Sequence, residues 1–125
     1  MPMPPLLAPS LDDFAALTKE AWEGLPSPFR RMAGDVVFRI EDFADDDTLD
    51  EHGIEDPFEL TGLYAPADTT SIPMVFLYRR PILDEWIDRG DLDLSELITH
   101  VLVHEVGHHF GLSDEAMHAI LEAAH

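Results

Sequence analysis

Between Thr99 and Ile120 the sequence reads THVLVHEVGHHFGLSDEAMHAI and holds five of the chain's seven histidines. A polar side chain buried without a partner costs about 2–7 kcal/mol. Imidazoles and carboxylates among valines and leucines therefore need a task. His104, Glu105 and His108 have the spacing HExxH. On a helix, residues i and i+4 share one face about 6 Å apart along the axis, so both rings can turn toward one ion. Zinc accepts imidazole nitrogen at about 2.0–2.1 Å. Glu105 falls about 100° around the wheel from His104, beside such an ion, where a carboxylate can take a proton from water.

A catalytic zinc has three protein ligands and one open position. Gly111 stands three residues after His108, and Asp114 three residues later. A glycine there can take a backbone conformation closed to other residues and swing Asp114 back toward the histidines. From this chain's composition a chance HExxH has a probability of about 0.03. Adding the glycine and the aspartate lowers it to about 0.0002. The competing roles are plain ones. Glu105 could be an ion-pair partner, and Asp114 could cap a last helix. His100, one turn before His104, is a candidate outer partner of the site. Tyr64, Tyr78 and Arg79 are candidates for stabilising charge from the substrate side. His109 falls off the metal sector, and His118 and His125 are expected at the surface.

These residues need elements to hold them. Leu94–Phe110 is apolar around most of its circumference, as a central helix should be. Asp93 and Glu96 suggest a capping-box variant at its start, and Gly111 a C′ glycine at its end. Met117, Ile120, Leu121 and Ala124 form the stripe of a final helix. Ser10 with Asp13 resembles a capping box opening a helix over 11–24, stopped by Gly24 and Pro26. SPFRRMAG adds a short helical turn. DVVFRIEDF alternates as a half-buried strand with Val36, Phe38 and Ile40 inward. ELTGLYA reads as a short strand in which Gly62 permits a bulge or close approach, and PMVFLYRR as a more buried one. Pro81 and Gly90 bracket a helix between them. ADDDTLDEHGIEDPF has seven acids in fifteen residues and lacks the glycine of a calcium loop. It reads as a solvated loop or flap.

The chain's 125 residues fit one domain, with residues 1–9 as an extended lead-in. The formal charge is −19, from 26 acids and 7 bases. Nucleic acid and anionic membrane surfaces are poor partners for so few cations. A peptide or protein substrate, basic if charge steers it, is the compatible partner. Without cysteine there is no disulfide, thiolate ligand or thiol nucleophile. The opening MPMPPLLAPS lacks a basic n-region, and no run is long enough to cross a bilayer, so a cytoplasmic location is expected.

The string His104-Glu105-Val106-Gly107-His108-His109-Phe110-Gly111-Leu112-Ser113-Asp114 resembles the extended zinc motif of the metzincin clan in its aspartate form. More broadly, residues 10–124 resemble a family of short bacterial zincin-like proteins, the minimal zincins, through Thr61-Gly62-Leu63-Tyr64 and Leu77-Tyr78-Arg79-Arg80-Pro81. The resemblance implies an α+β zincin-like fold, with a small mixed sheet packed against an active-site helix and flanking helices. It also implies metal ligands at His104, His108 and Asp114 and a general base at Glu105. Met117 is expected to be core rather than the Met-turn residue of large metzincins.

The leading expectation is a zinc metallopeptidase with one zinc per chain. Nickel, cobalt or iron would also suit these donors. The alternative is a non-catalytic module on the same fold, with or without metal, that binds a basic peptide or protein.

Overall fold

In the computed structural model, residues 8–68 and 71–124 are described. Residues 1–7 of the expected lead-in and His125 lie outside them. The chain runs through α1 (Leu11–Glu23), α2 (Ser27–Ala33), β1 (Val37–Glu41), α3 (Asp46–Glu51) and a 3-10 turn (Pro57–Glu59). It continues through β2 (Gly62–Ala65), β3 (Met74–Tyr78), α4 (Arg79–Arg89), α5 (Leu94–His109) and α6 (Asp114–Ala123). The three strands form one mixed sheet in the order β1-β3-β2. β1 runs parallel to β3 with Arg39 opposite Phe76, and β2 antiparallel with Leu63 opposite Phe76. The fold is thus α+β, a small mixed sheet against α5 with helices around it, the architecture the resemblance implies.

Local chemistry explains most of the boundaries. Ser10 and Asp13 form the reciprocal capping box: the Asp13 amide donates to Ser10 Oγ at 3.1 Å and the Ser10 amide to Asp13 Oδ2 at 2.8 Å. β3 is the central strand, and its continuous apolar run buries Val75, Leu77 and Tyr78. α5 buries Leu97, Ile98, Val101, Leu102, Val103 and Val106 against α1, β2, α4 and α6. Each such side chain contributes about 1.5–3 kcal/mol on leaving water.

Three expectations need correction. The acidic segment is not an open loop. Asp45 caps α3, accepting from the Thr48 amide at 2.8 Å, and Asp56 caps the 3-10 turn, accepting from the Phe58 amide at 3.0 Å. Acids favour helix starts because unpaired amides and the helix dipole stabilise negative charge there. Leu49 then anchors α3 in a second small core with Ala44 and Tyr78. Next, Asp93 precedes α5 but makes no side-chain cap hydrogen bond; it is exposed, and the capping-box variant with Glu96 does not form. Finally, α4 begins two residues before Pro81, directly from β3. The Arg80 amide finds a partner in the Asp42 carbonyl at 3.1 Å, so the helix can start without a cap.

One contact sets how closely the sheet meets the site helix. Gly62 opens the edge strand β2. A Cβ there would lie 2.8 Å from Val101 Cγ1, 3.1 Å from the Phe76 carbonyl oxygen and 3.3 Å from Glu105 Cγ. Gly62→Ala must therefore push β2 off α5. It is expected to cost about 1–3 kcal/mol, read as a lower urea midpoint with unchanged slope.

Candidate active site

α5 lies with its apolar faces in the core and one sector open near its C-terminal end. His104 and His108 are exposed in that sector, while Glu105 is half-buried where β2 crosses. The ring centroids of His104 and His108 are 5.6 Å apart. A tetrahedral ion with nitrogens at about 2.0–2.1 Å would put two imidazole centroids about 5 Å apart, so the pair fits a shared ion with little adjustment. The two rings line a cleft of about 230 Å³ with Glu105, His100, Thr61, Glu85 and Arg89.

The end of α5 is built to turn the chain. The Leu112 amide donates to the Gly107 carbonyl at 2.9 Å and the Gly111 amide to the His108 carbonyl at 3.1 Å, with Gly111 at φ +72°. This is the Schellman pattern, and Gly111 supplies the left-handed residue it requires. Ser113 caps α6, accepting from the Ala116 amide at 3.0 Å. Asp114 is therefore the first residue of α6, and its carboxylate is not the cap. It shares an adjoining cleft of about 350 Å³ with His100, His104, His118 and Leu121. His104 is the side chain common to the two clefts that also bears a candidate ligand role. Among the described residues, no three His, Asp or Glu side chains are close enough together to hold a metal ion. His104 and His108 are brought together, and Asp114 stands beside His104 without closing the set.

The remaining candidates separate. His100 stacks on His104, with centroids 6.2 Å apart and planes 20° from parallel. Tyr64 turns away from the cleft: its buried hydroxyl donates to the Ala33 carbonyl at 2.9 Å and its ring packs on His109 and Phe110. Arg79 is also placed elsewhere, its Nε donating to the Pro9 carbonyl at 2.6 Å and its Nη1 paired with Asp42 at 3.0 Å. Neither lines the cleft. Tyr78 is buried, and its hydroxyl is pushed up to about 12 by burial and by the charges of Glu41, Asp45 and Glu105. His118 is exposed beside Glu122 at 3.0 Å. Met117 is core: its Sδ would lie 2.6 Å from a Cβ on Gly107, so it packs directly beneath the turn between the two histidines.

Sequence reasoning missed Glu85 and Arg89, which reach the cleft from α4. It also missed His52, at the end of α3, whose Nδ1 lies 2.9 Å from the Thr48 carbonyl. Burial raises the Glu105 carboxyl to about 7, against an opposing pull from His52. No local spacing announces any of these, because each meets α5 only through the tertiary fold.

The family model described as zincin-like metallopeptidase matches residues 33–123. No curated protein matches the chain.

The raised Glu105 carboxyl has a stability consequence in metal-free protein. A carboxyl whose folded pKa lies above its unfolded value holds its proton more tightly when folded. Its contribution is full below about 4.5 and is lost as pH rises through about 7. Glu105→Gln removes that loss. The variant is expected to match wild type at pH 4.5 and to exceed it by about 1–2 kcal/mol at pH 8, allowing for residual solvent contact. Urea unfolding in chelator at the two pH values measures the difference.

Proposed function

The chain belongs to the zincin-like metallopeptidase family, and from that premise we propose that it hydrolyses peptide bonds with one zinc ion held by His104, His108 and Asp114. The observation that carries this reading is a desolvated carboxyl, Glu105, beside two exposed imidazoles one helical turn apart. When bound, zinc would lower the pKa of water and polarise a carbonyl oxygen. Glu105 accepts the proton of the attacking water at a carboxylate oxygen. It then passes that proton to the leaving amine nitrogen as the C–N bond breaks. The value near 7 is that of the metal-free protein; a zinc ion beside Glu105 would favour the carboxylate, the form that accepts the proton. His100 supports His104 by stacking on it. The edge of β2, which pairs with no further strand among the described residues, offers main-chain groups to an extended peptide beside the cleft. The charge of −19 would draw cationic peptides toward it at low salt.

One observation favours a second reading, the binding module that uses this fold without catalysis: the three proposed ligands are not gathered around one point. Metal content separates the two. Wild type purified without metal-affinity steps is expected to carry about one zinc per chain by mass spectrometry. Asp114→Ala should weaken zinc binding at least about tenfold. Glu105→Gln should keep the zinc and lose peptide hydrolysis by at least about 100-fold. Wild type that takes up no zinc on titration would sink the peptidase reading and leave the binding module.

A further inference from the structure

We infer that Arg89 is the group in the cleft that holds a carboxylate of the bound peptide, so that preferred ligands present a free C-terminus or an acidic side chain close to the scissile bond. The inference deepens the peptidase reading and rests on it for the word scissile; the binding claim stands on the cleft alone.

Arg89 is the only Lys or Arg among the described residues that line the cleft of His104, Glu105 and His108. It is the last residue of α4, and Gly90 follows at φ +68° in the left-handed conformation that ends the helix. The loop beyond is tied back, because the Trp86 indole donates to the Leu92 carbonyl at 2.8 Å. The backbone that carries the guanidinium is thereby fixed at the cleft mouth. Its own ion pairs are loose. Glu85 is 3.7 Å away and Asp91 3.8 Å, both beyond hydrogen-bond distance. A guanidinium has five donors in a fork that fits a carboxylate through two parallel bonds. Arg89 lines the cleft with only these two long ion pairs, one of them to Glu85 of the same cleft, and its side chain is 40% exposed.

Three of the other five arginines show the contrast. Arg79 is taken by Asp42 and Pro9, Arg30 by the Leu25 carbonyl and Ser27, and Arg80 lies over the Phe43 ring. In a chain of charge −19, a cation placed in the cleft works against the general field. It gives an anionic group a local partner where long-range repulsion would otherwise keep it out. The cleft's 230 Å³ is about eight water volumes, room for the end of a peptide or one short side chain beside the histidines.

The test measures binding to the Glu105→Gln protein, which does not consume its ligand, with zinc added and again in chelator. The probes are N-acetyl-trialanine with a free carboxylate, its C-terminal amide, and an amidated N-acetyl-Ala-Glu-Ala. The free acid is expected to bind about three- to tenfold more tightly than the amide, the range of a half-exposed ion pair with good geometry. Arg89→Met should erase that preference. Arg80→Met, which makes the same change in net charge, should keep it. If the amidated Glu peptide equals the free acid, a carboxylate from either source is accepted; if it equals the plain amide, the C-terminus alone is. An acid preference that survives Arg89→Met, or no acid preference at all, overturns the inference. Arg89-dependent binding in a wild type that hydrolyses no peptide would instead count against the peptidase reading and leave Arg89 in place.

Discussion

The site depends on how closely β2 can lie on α5. α5 must be buried on most of its surface to be held rigidly, yet it must leave two imidazoles in water. Gly62 reconciles these demands. Without a side chain, the start of β2 reaches Val101 and the Glu105 stem, covering the carboxyl while His104 and His108 stay clear. The same contact that packs the sheet therefore desolvates the base. Burial is the leading cause of the raised Glu105 carboxyl, and β2 is one of the elements that supply it.

The other side of α5 is governed by a matching pair. Gly107 lies between the two histidines, and Met117 of α6 fills the space that a side chain there would take. Met117 is nearly inaccessible, so α6 docks at the level of the imidazoles rather than below them. That docking fixes where Asp114 begins α6. Because Ser113 takes the cap, the Asp114 carboxylate keeps its acceptor capacity. The Schellman turn at Gly111, the Ser113 cap and the Gly107–Met117 contact together set the third candidate donor beside His104. A thioether is well suited to such a place, since its flexible stem conforms to an irregular gap.

What could be read from the sequence was what local rules control. The capping box at Ser10, the buried run of β3, the alternation of β1 and the Gly111 stop all rest on neighbours within a few residues. HExxH marked the helix because its chemistry is also local. The acidic segment misled because charge was weighed as solvation. The same aspartates are good helix caps, and a single leucine, Leu49, was enough to anchor α3. Asp93 erred the other way: its residue type fits a cap, but an exposed side chain can leave the first amides to water. Tyr64 and Arg79 looked like chemical groups because their types are. Their partners, Ala33 and Pro9, are 31 and 70 residues away, beyond any spacing argument.

The distribution of charge follows from the same division. Most acids lie on exposed surfaces, where each costs little and together they raise a negative field. Burial pushes the Glu105 carboxyl toward its protonated form, and a nearby positive charge opposes that. His52 is the group that does so at Glu105. It comes from α3, the helix built out of the acidic run, with its ring held at the Thr48 carbonyl. The segment with the densest negative charge thus also delivers the imidazole that tempers the base. Its short helix is the means of delivery: an unfolded loop of the same composition would hold His52 in no fixed place.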